Sequence, residues 1–380
     1  MTDYFTIGPH KVSGRAVLAP MAGLTDQVFR NVCRNFGAAL AISEMNTSDT
    51  RLWNSVKSHT RLNFSNENGL KVLQIAGSQP SQMADAAQAA QQLGADIVDI
   101  NMGCPAKKVC RKLSGSALLQ DEKLVTAILS AVTAATTLPV TLKMRTGWNP
   151  HNRNGVKIAK IAEASGIQAL AIHGRTRACM FKGAVEFKTI RDIKAAVSIP
   201  VIANGDIDSV QMALEVLNYT RANAVMIGRG ALGQPWVFRT LNRSLDSNKF
   251  SAPSHDASID LELRRDTILS HLSALHDLYG EARGVRVARK HLSWYCKYLD
   301  DAENFWREVA QADHAADQLE ITKNFFDLIQ NPKGGDCNAQ SLAWRPHPFQ
   351  KEYAEFKTQS QQEWPTDKKR SHGPQSQSAA

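Results

Sequence analysis

Between Val17 and Gly228 the chain repeats one alternation, a short apolar run followed by a stretch of helical periodicity. The runs are Val17-Leu-Ala-Pro-Met-Ala-Gly23, Leu40-Ala-Ile42, Lys71-Val-Leu-Gln-Ile75, Ala95 to Ile100, Val140-Thr-Leu-Lys143, Ala169-Leu-Ala-Ile-His173, Pro200-Val-Ile-Ala-Asn-Gly205 and Ala224-Val-Met-Ile-Gly228. Helical patterns cover Asp26 to Phe36, Met83 to Leu93, Glu122 to Thr136, Val156 to Ala164, Ile190 to Val197 and Val210 to Asn218. Strands apolar on both faces are buried on both faces, which a parallel sheet wrapped in helices provides. Eight such strands over about 230 residues match a TIM (β/α)8 barrel. The competing doubly wound sheet wants a glycine-rich phosphate fingerprint after its first strand. Ala19-Pro-Met-Ala-Gly23 is not that fingerprint, so the expected fold class is α/β, a TIM barrel.

Past Ser244 the pattern changes. Residues 1–245 are expected to be the catalytic barrel and 246–258 a Ser/Pro/Asn-containing linker. Residues 259–330 read as a smaller all-helical C-terminal domain, and 331–380, rich in Gln, Ser, Lys and Pro, as a disordered tail. Lys368-Lys-Arg370 in that tail reads as solubilising or as a weak contact to a polyanion. The six cysteines are scattered, with no C-x-x-C pair and no His/Cys cluster, so neither disulfides nor a metal is expected. The N-terminus lacks a signal pattern and no run is long enough to span a bilayer, which predicts a cytoplasmic protein without membrane contact. A formal net charge of +9 favours a polyanionic partner, although a merely solvated basic surface gives the same count.

In a barrel of this kind, active sites form at the C-terminal strand ends. Here those ends carry Pro20-Met21-Ala22, Glu44, Gln74, Asn101 with Cys104, Lys143 with Arg145, His173 with Arg175, Asn204-Gly205-Asp206 and Gly228-Arg229. A stable barrel needs apolar layers, and a full ring of polar ends is not explained by folding. Asp99-Ile-Asn-Met-Gly-Cys-Pro105 puts Asp99 and Asn101 on one strand face and Cys104 on a turn stiffened by Gly103 and Pro105. By itself that thiol is more often a small core hydrophobe. The two glycine turns after strands seven and eight suit the phosphate of a cofactor, with Arg229 adding charge. Lys143, on the face of Thr141 near the end of an apolar strand, suits a carbonyl-rich ring such as flavin. His173 reads as a substrate contact, a cofactor contact or a hydrogen-bonded rim residue. Beyond the motif stand three further cations, Lys107, Lys108 and Arg111. In the helical region Val285, Ala288, Leu292 and Leu299 mark a core stripe. Arg283, Arg286, Arg289, Lys290 and Lys297 fall largely away from it, as a solvated face or a phosphate-binding one. Trp294 and Tyr295 are core or base-stacking residues.

Leu18-Ala-Pro-Met-Ala-Gly-Leu-Thr-Asp26, Ser43-Glu-Met45, Gln74-Ile-Ala-Gly-Ser78, Asp99-Ile-Asn-Met-Gly-Cys-Pro-Ala-Lys-Lys108, Thr141-Leu-Lys-Met-Arg-Thr-Gly-Trp148, Ile172-His-Gly-Arg-Thr-Arg177, Val201-Ile-Ala-Asn-Gly-Asp206 and Met226-Ile-Gly-Arg229 occur in that order. Together they resemble the tRNA-dihydrouridine synthase family, most closely its bacterial B type, from Val17 to about Leu299. The resemblance implies an FMN-binding barrel, reloaded by NADPH (or NADH), that reduces a D-loop uridine of tRNA, position 17 being favoured, to 5,6-dihydrouridine. It implies Pro20, Met21, Ala22, Gln74, Lys143, His173, Asn204, Gly205, Asp206, Gly228 and Arg229 as cofactor-binding. Cys104 becomes the proton donor, with Asn101, Lys143, His173 and Arg175 near the uracil. Lys107, Lys108, Arg111, Arg283, Arg286, Arg289 and Lys290 become the RNA-binding cations of a monomer. A small-molecule flavin dehydrogenase acting on a free pyrimidine or enone is the alternative that shares this fold, and a non-enzymatic RNA-binding module is another. The first leaves the basic helical region unexplained and the second leaves Cys104 without a role.

Overall fold

The structure, a computed structural model, describes residues 4–246, 260–297, 299 and 302–330. The expected linker, apart from Asp246, and the tail at 331–380 lie outside the described residues. The chain opens with a hairpin, β1 (Tyr4–Ile7) and β2 (His10–Ser13), that the sequence reading did not anticipate. The barrel follows: β3 (Ala16–Leu18), α1 (Gln27–Asn35), β4 (Leu40–Ala41), β5 (Asn46–Thr47), α2 (Val56–Leu62), β6 (Val72–Ala76), α3 (Pro80–Gln92), β7 (Ile97–Met102), α4 (Lys107–Cys110) and α5 (Glu122–Ala135). It continues with β8 (Val140–Arg145), α6 (Gly155–Ala164), β9 (Ala169–His173), α7 (Lys188–Ala196), β10 (Val201–Asn204), α8 (Val210–Thr220), β11 (Ala224–Ile227) and α9 (Val237–Asp246). Four helices complete the described chain: α10 (Leu261–Tyr279), α11 (Glu281–Cys296), α12 (Ala302–Val309) and α13 (Ala315–Gln330).

All strands after the hairpin pair in parallel, in the order β4-β3-β11-β10-β9-β8-β7-β6-β5. A bridge between Ile42 and Val72 closes the ring, so the second barrel strand is present in two pieces, β4 and β5. The break falls at Ser43 and Glu44 for a physical reason. Their polar side chains serve neighbours: Ser43 Oγ accepts from the Gln74 amide at 3.0 Å and Glu44 Oε2 from the Gly23 amide at 2.5 Å. Strand β7 runs two residues past Ile100, which puts Asn101 inside the ladder.

The lower interior is apolar. Val17, Leu40, Val72, Ile97, Ala169, Ile202 and Ala224 point inward, and Phe5, Ile7 and Val12 of the hairpin pack beneath them. The hairpin turn needs Gly8, whose φ is +57° and whose added Cβ would lie 2.6 Å from both Pro139 Cγ and Gln168 Oε1. Helix starts follow simple chemistry. Asp26, Asp121, Ser209 and Asp260 accept the backbone N–H three residues on, capping α1, α5, α8 and α10. Helix α10 lies against α1 and carries buried His271, ring-stacked on Phe29 at 5.7 Å. Among the described residues no helix is long and apolar enough to cross a membrane.

Candidate active site

Above the apolar layers the barrel interior turns polar. The strand register places Gln74 beside Asp99 and Asp99 beside Thr141, with Asn101 beside Lys143 one layer higher. Asp99, 1% exposed, accepts from Gln74 Nε2 at 2.7 Å and from Thr141 Oγ1 at 2.6 Å. Gln74 Oε1 accepts from Asn101 Nδ2 at 2.8 Å, and Asn101 Oδ1 accepts from the Cys104 amide at 3.0 Å. The orientation of every amide is thereby passed from a carboxylate at the barrel centre to the turn that carries the thiol. Burial pushes Asp99 above the usual carboxylate range, and Gln74, Thr141 and Lys143 pull against it.

Cys104 is half-buried on that turn. Its carbonyl accepts from the Ser116 amide at 3.1 Å and from Ser116 Oγ at 2.9 Å. Gly115, at φ +62°, lies so close that a Cβ would meet the Cys104 carbonyl at 2.8 Å. Burial raises the thiol pKa, opposed by the Ala106 amide and by the cations Arg145 and Lys143. Lys107, Lys108 and Arg111 are exposed. A thiol above its ordinary pKa is protonated at neutral pH and able to give a proton.

From the neighbouring strand β8 round to β11 runs a cationic corner. Lys143 Nζ donates to Asn204 Oδ1 at 3.1 Å, and Asn204 Nδ2 donates to the Met226 carbonyl at 2.8 Å. Burial lowers the lysine pKa to about 8, helped by Arg145 and opposed by Asp99. Gly205 at φ +138° and Asp206 at φ +44° follow, two successive residues in the region that favours glycine. A Cβ on Gly205 would stand 2.6 Å from Val185 Cγ1. Asp206 is clamped by Arg175 and by Arg229, the latter at 2.7 Å, which hold its carboxyl below the ordinary value against desolvation. His173, at the end of β9, has a buried Nε2 without a hydrogen-bond partner among the described residues. Desolvation drives its pKa well down, reinforced by Arg145, Lys143, Arg175 and Arg229, so it is neutral.

Most of the residues expected at the rim therefore gather on one end of the barrel: Gln74, Asn101, Cys104, Lys143, His173, Asn204, Gly205, Asp206, Gly228 and Arg229. Pro20, Met21 and Ala22 border it in a turn held by Met21 N to Thr25 Oγ1 at 2.8 Å. Two of the expected cations are also engaged by the protein itself. Arg175 is 2% exposed and donates to Asp206 and to the Gly183 carbonyl, while its buried Nη1 has no hydrogen-bond partner among the described residues. Arg289 donates to the Ala312 carbonyl at 2.6 Å and pairs with Asp313, engaged within the helical region. On α11, Arg286 and Lys290 are exposed, while Arg283 is half-buried over the Tyr279 ring at 4.5 Å. Tyr295 is core, 2% exposed and hydrogen-bonded to His271 Nδ1 at 3.0 Å. The sequence reading put Arg145 at the rim without a role. Its guanidinium donates to the carbonyls of Gly103, Thr176 and Met180, stitching the thiol turn to the loop after β9. Only the β8–β9 register, pairing Arg145 with His173, carries that signal.

Comparison with known proteins adds the family. The family model for dihydrouridine synthase matches residues 17–330, past Leu299 and through α13. The tRNA-dihydrouridine synthase B of Shewanella oneidensis is 52% identical over 326 residues, 86% of this chain and 99% of that one. The protein of the same name from Pseudomonas aeruginosa is 50% identical over 325 residues, 86% of this chain and 96% of that one. Among solved structures, an old yellow enzyme homologue from Zymomonas mobilis aligns with a TM-score of 0.48 at 15% identity, over 66% of this chain and 93% of that one.

Proposed function

The chain belongs to the dihydrouridine synthase family, and from that premise we propose that it reduces the C5=C6 bond of a D-loop uridine in tRNA to 5,6-dihydrouridine. The reading takes FMN as resident cofactor and NADPH (or NADH) as electron source, in a cytoplasmic monomer. Three observations support a fit to FMN. His173 Nε2 is a buried polar atom without a partner, Gly205 and Asp206 form a positive-φ turn that turns backbone toward an anion, and several cations bear on the same corner. Lys143, His173, Asn204, Gly205, Asp206, Gly228 and Arg229 would hold it, with Gln74 and the Pro20-Met21-Ala22 turn alongside. Bound there, the reduced flavin supplies the hydride for uracil C6.

The chain's own residues account for the rest. Cys104 gives its proton to C5, because burial keeps the thiol protonated while Asn101 anchors the turn that carries it. Lys143 draws negative charge toward the corner, and neutral His173 acts as a hydrogen-bond partner. Exposed Lys107, Lys108, Arg111, Arg286 and Lys290, with Arg283, supply phosphate contacts outside the barrel, in keeping with a helical tRNA-binding region at 259–330. A base reaches a barrel mouth after leaving its stack, which is least costly in an unpaired loop.

The observation that carries the reading is the unbroken hydrogen-bond chain from Thr141 through Asp99, Gln74 and Asn101 to the Cys104 turn. The test is direct. Purified yellow protein with NADPH and unmodified tRNA is expected to yield dihydrouridine, located by mapping the RNA. Equal turnover on free uridine would favour the small-molecule dehydrogenase instead, and a colourless preparation that binds tRNA would favour a binding module.

A further inference from the structure

Phe181 breaks the usual rule for a large apolar side chain. It is 54% exposed, in the loop between β9 and α7 at the same end of the barrel as Cys104. That loop is held in place from below. Buried Arg145 donates to the Met180 carbonyl at 2.6 Å, and buried Arg175 donates to the Gly183 carbonyl, one on each side of Phe181. Ala178 N bonds the Trp148 carbonyl and Arg177 N the Gly147 carbonyl, each at 2.9 Å, tying the loop to the one after β8. Met180 stands at φ +54°, a left-handed conformation that an unbranched apolar side chain disfavours. A strained residue and two buried arginines thus hold a phenyl ring out in water. The guanidinium groups of Arg145 and Arg229 lie over this ring, 5.3 and 5.9 Å from its centre, so it borders the cofactor corner. Lys182, the next residue, is exposed.

We propose that Phe181 is the stacking platform for the nucleobase adjoining the reduced uridine, with Lys182 contacting the phosphate of that nucleotide. This rests on the tRNA reading of the site and deepens it. When one base is drawn into the barrel its neighbour loses a stacking partner, and an aromatic face fixed at the mouth replaces it. Stacking of this kind tolerates any base, so the loop sets how a flipped uridine is presented and not which sequence surrounds it.

The experiment uses flavin-loaded protein and unmodified tRNA with Phe181→Ala, Phe181→Leu and Phe181→Trp. The alanine variant is expected to keep its flavin absorbance and to raise KM for tRNA by about 5- to 160-fold, the usual range for one lost base stack. Leucine is expected to behave like alanine and tryptophan to restore the wild-type KM. Loss of flavin from Phe181→Ala, an unchanged KM, or full function with leucine would each overturn the proposal. If the wild-type protein forms no dihydrouridine, filter binding of tRNA decides separately. Weaker binding by Phe181→Ala would leave the platform standing without the proposed reaction, and equal binding would remove it.

Discussion

Asp26→Asn gives a worked test of how the helical region is joined to the rim. Asp26 is 3% exposed and caps α1, accepting from the Phe29 amide at 2.9 Å and from the Tyr279 hydroxyl at 2.9 Å. Tyr279 closes α10, so this carboxylate is shared between two parts of the chain 253 residues apart in sequence. Burial raises its pKa from the ordinary 3.8 to about 6, with Glu44 adding to the rise and Phe29, Tyr279 and Arg30 opposing it. A folded state that holds a proton more tightly than the unfolded chain is favoured at low pH. The contribution is complete below about pH 4, falls between about pH 4 and 6, and leaves a deficit of about 3 kcal/mol above that. Asparagine also caps well, and its amide oxygen still accepts from Phe29 while its NH2 group meets the Tyr279 oxygen. The neutral side chain avoids this deficit, which is already net of the charged cap on Phe29, but forgoes about 1 kcal/mol of hydrogen-bond strength. Asp26→Asn is therefore expected to be about 1–2 kcal/mol more stable than wild type at pH 7. Urea unfolding of both proteins from pH 4 to 8 reads the difference, which should grow between pH 4 and 6 and then level off. A difference that is flat across that range, or a variant that loses ground as pH rises, would refute the reasoning.

Three further outcomes follow from the site and its surroundings. Cys104→Ala should retain flavin and form almost no dihydrouridine, and equal product from variant and wild type would remove the thiol from proton transfer. Lys143 holds its proton only up to about pH 8, so flavin retention should weaken as pH rises through that value; Lys143→Arg should carry the loss to higher pH, as spin-column assays of bound flavin would show. Arg30 and Glu67, 1% and 0% exposed and joined at 2.8 and 2.5 Å, brace the cofactor-side turn through the Thr25 carbonyl. Glu67 also pairs with Arg34 at 3.4 Å, so in urea unfolding Arg30→Met should cost less than the ~3–5 kcal/mol of an orphaned buried charge, and adding Glu67→Leu, which takes the carboxylate from Arg34, should not restore stability.

The barrel strands were legible because their inward residues, from Val17 to Ala224, are apolar at the bottom and change to polar at one end. That change also exposed the candidate site, since Gln74, Asn101, Lys143 and Asn204 are out of place in strands otherwise buried. What stayed hidden depended on partners distant in sequence. The break between β4 and β5 follows from bonds of Ser43 and Glu44 to residues 74 and 23, which no local pattern encodes. The long-range acceptors of two cations were hidden as well. Arg175 finds Asp206 and Arg289 finds Ala312, whereas a charge pattern alone treats every basic residue on an outer face as open to solvent. The hairpin β1–β2 carried a signal, alternating Phe5 and Ile7 before Gly8, but it is shorter than the windows that separate strand from loop.

That hairpin has a kinetic consequence. Phe5, Ile7 and Val12 fill the floor with apolar side chains, which leaves the polar end as the way in for both reactants of the proposed reaction. In that reaction a nicotinamide and a polynucleotide would therefore take turns, the first gone before the second enters. Initial-rate plots against one reactant at fixed levels of the other should accordingly give parallel lines, with excess reductant slowing the enzyme by blocking the polynucleotide's way in.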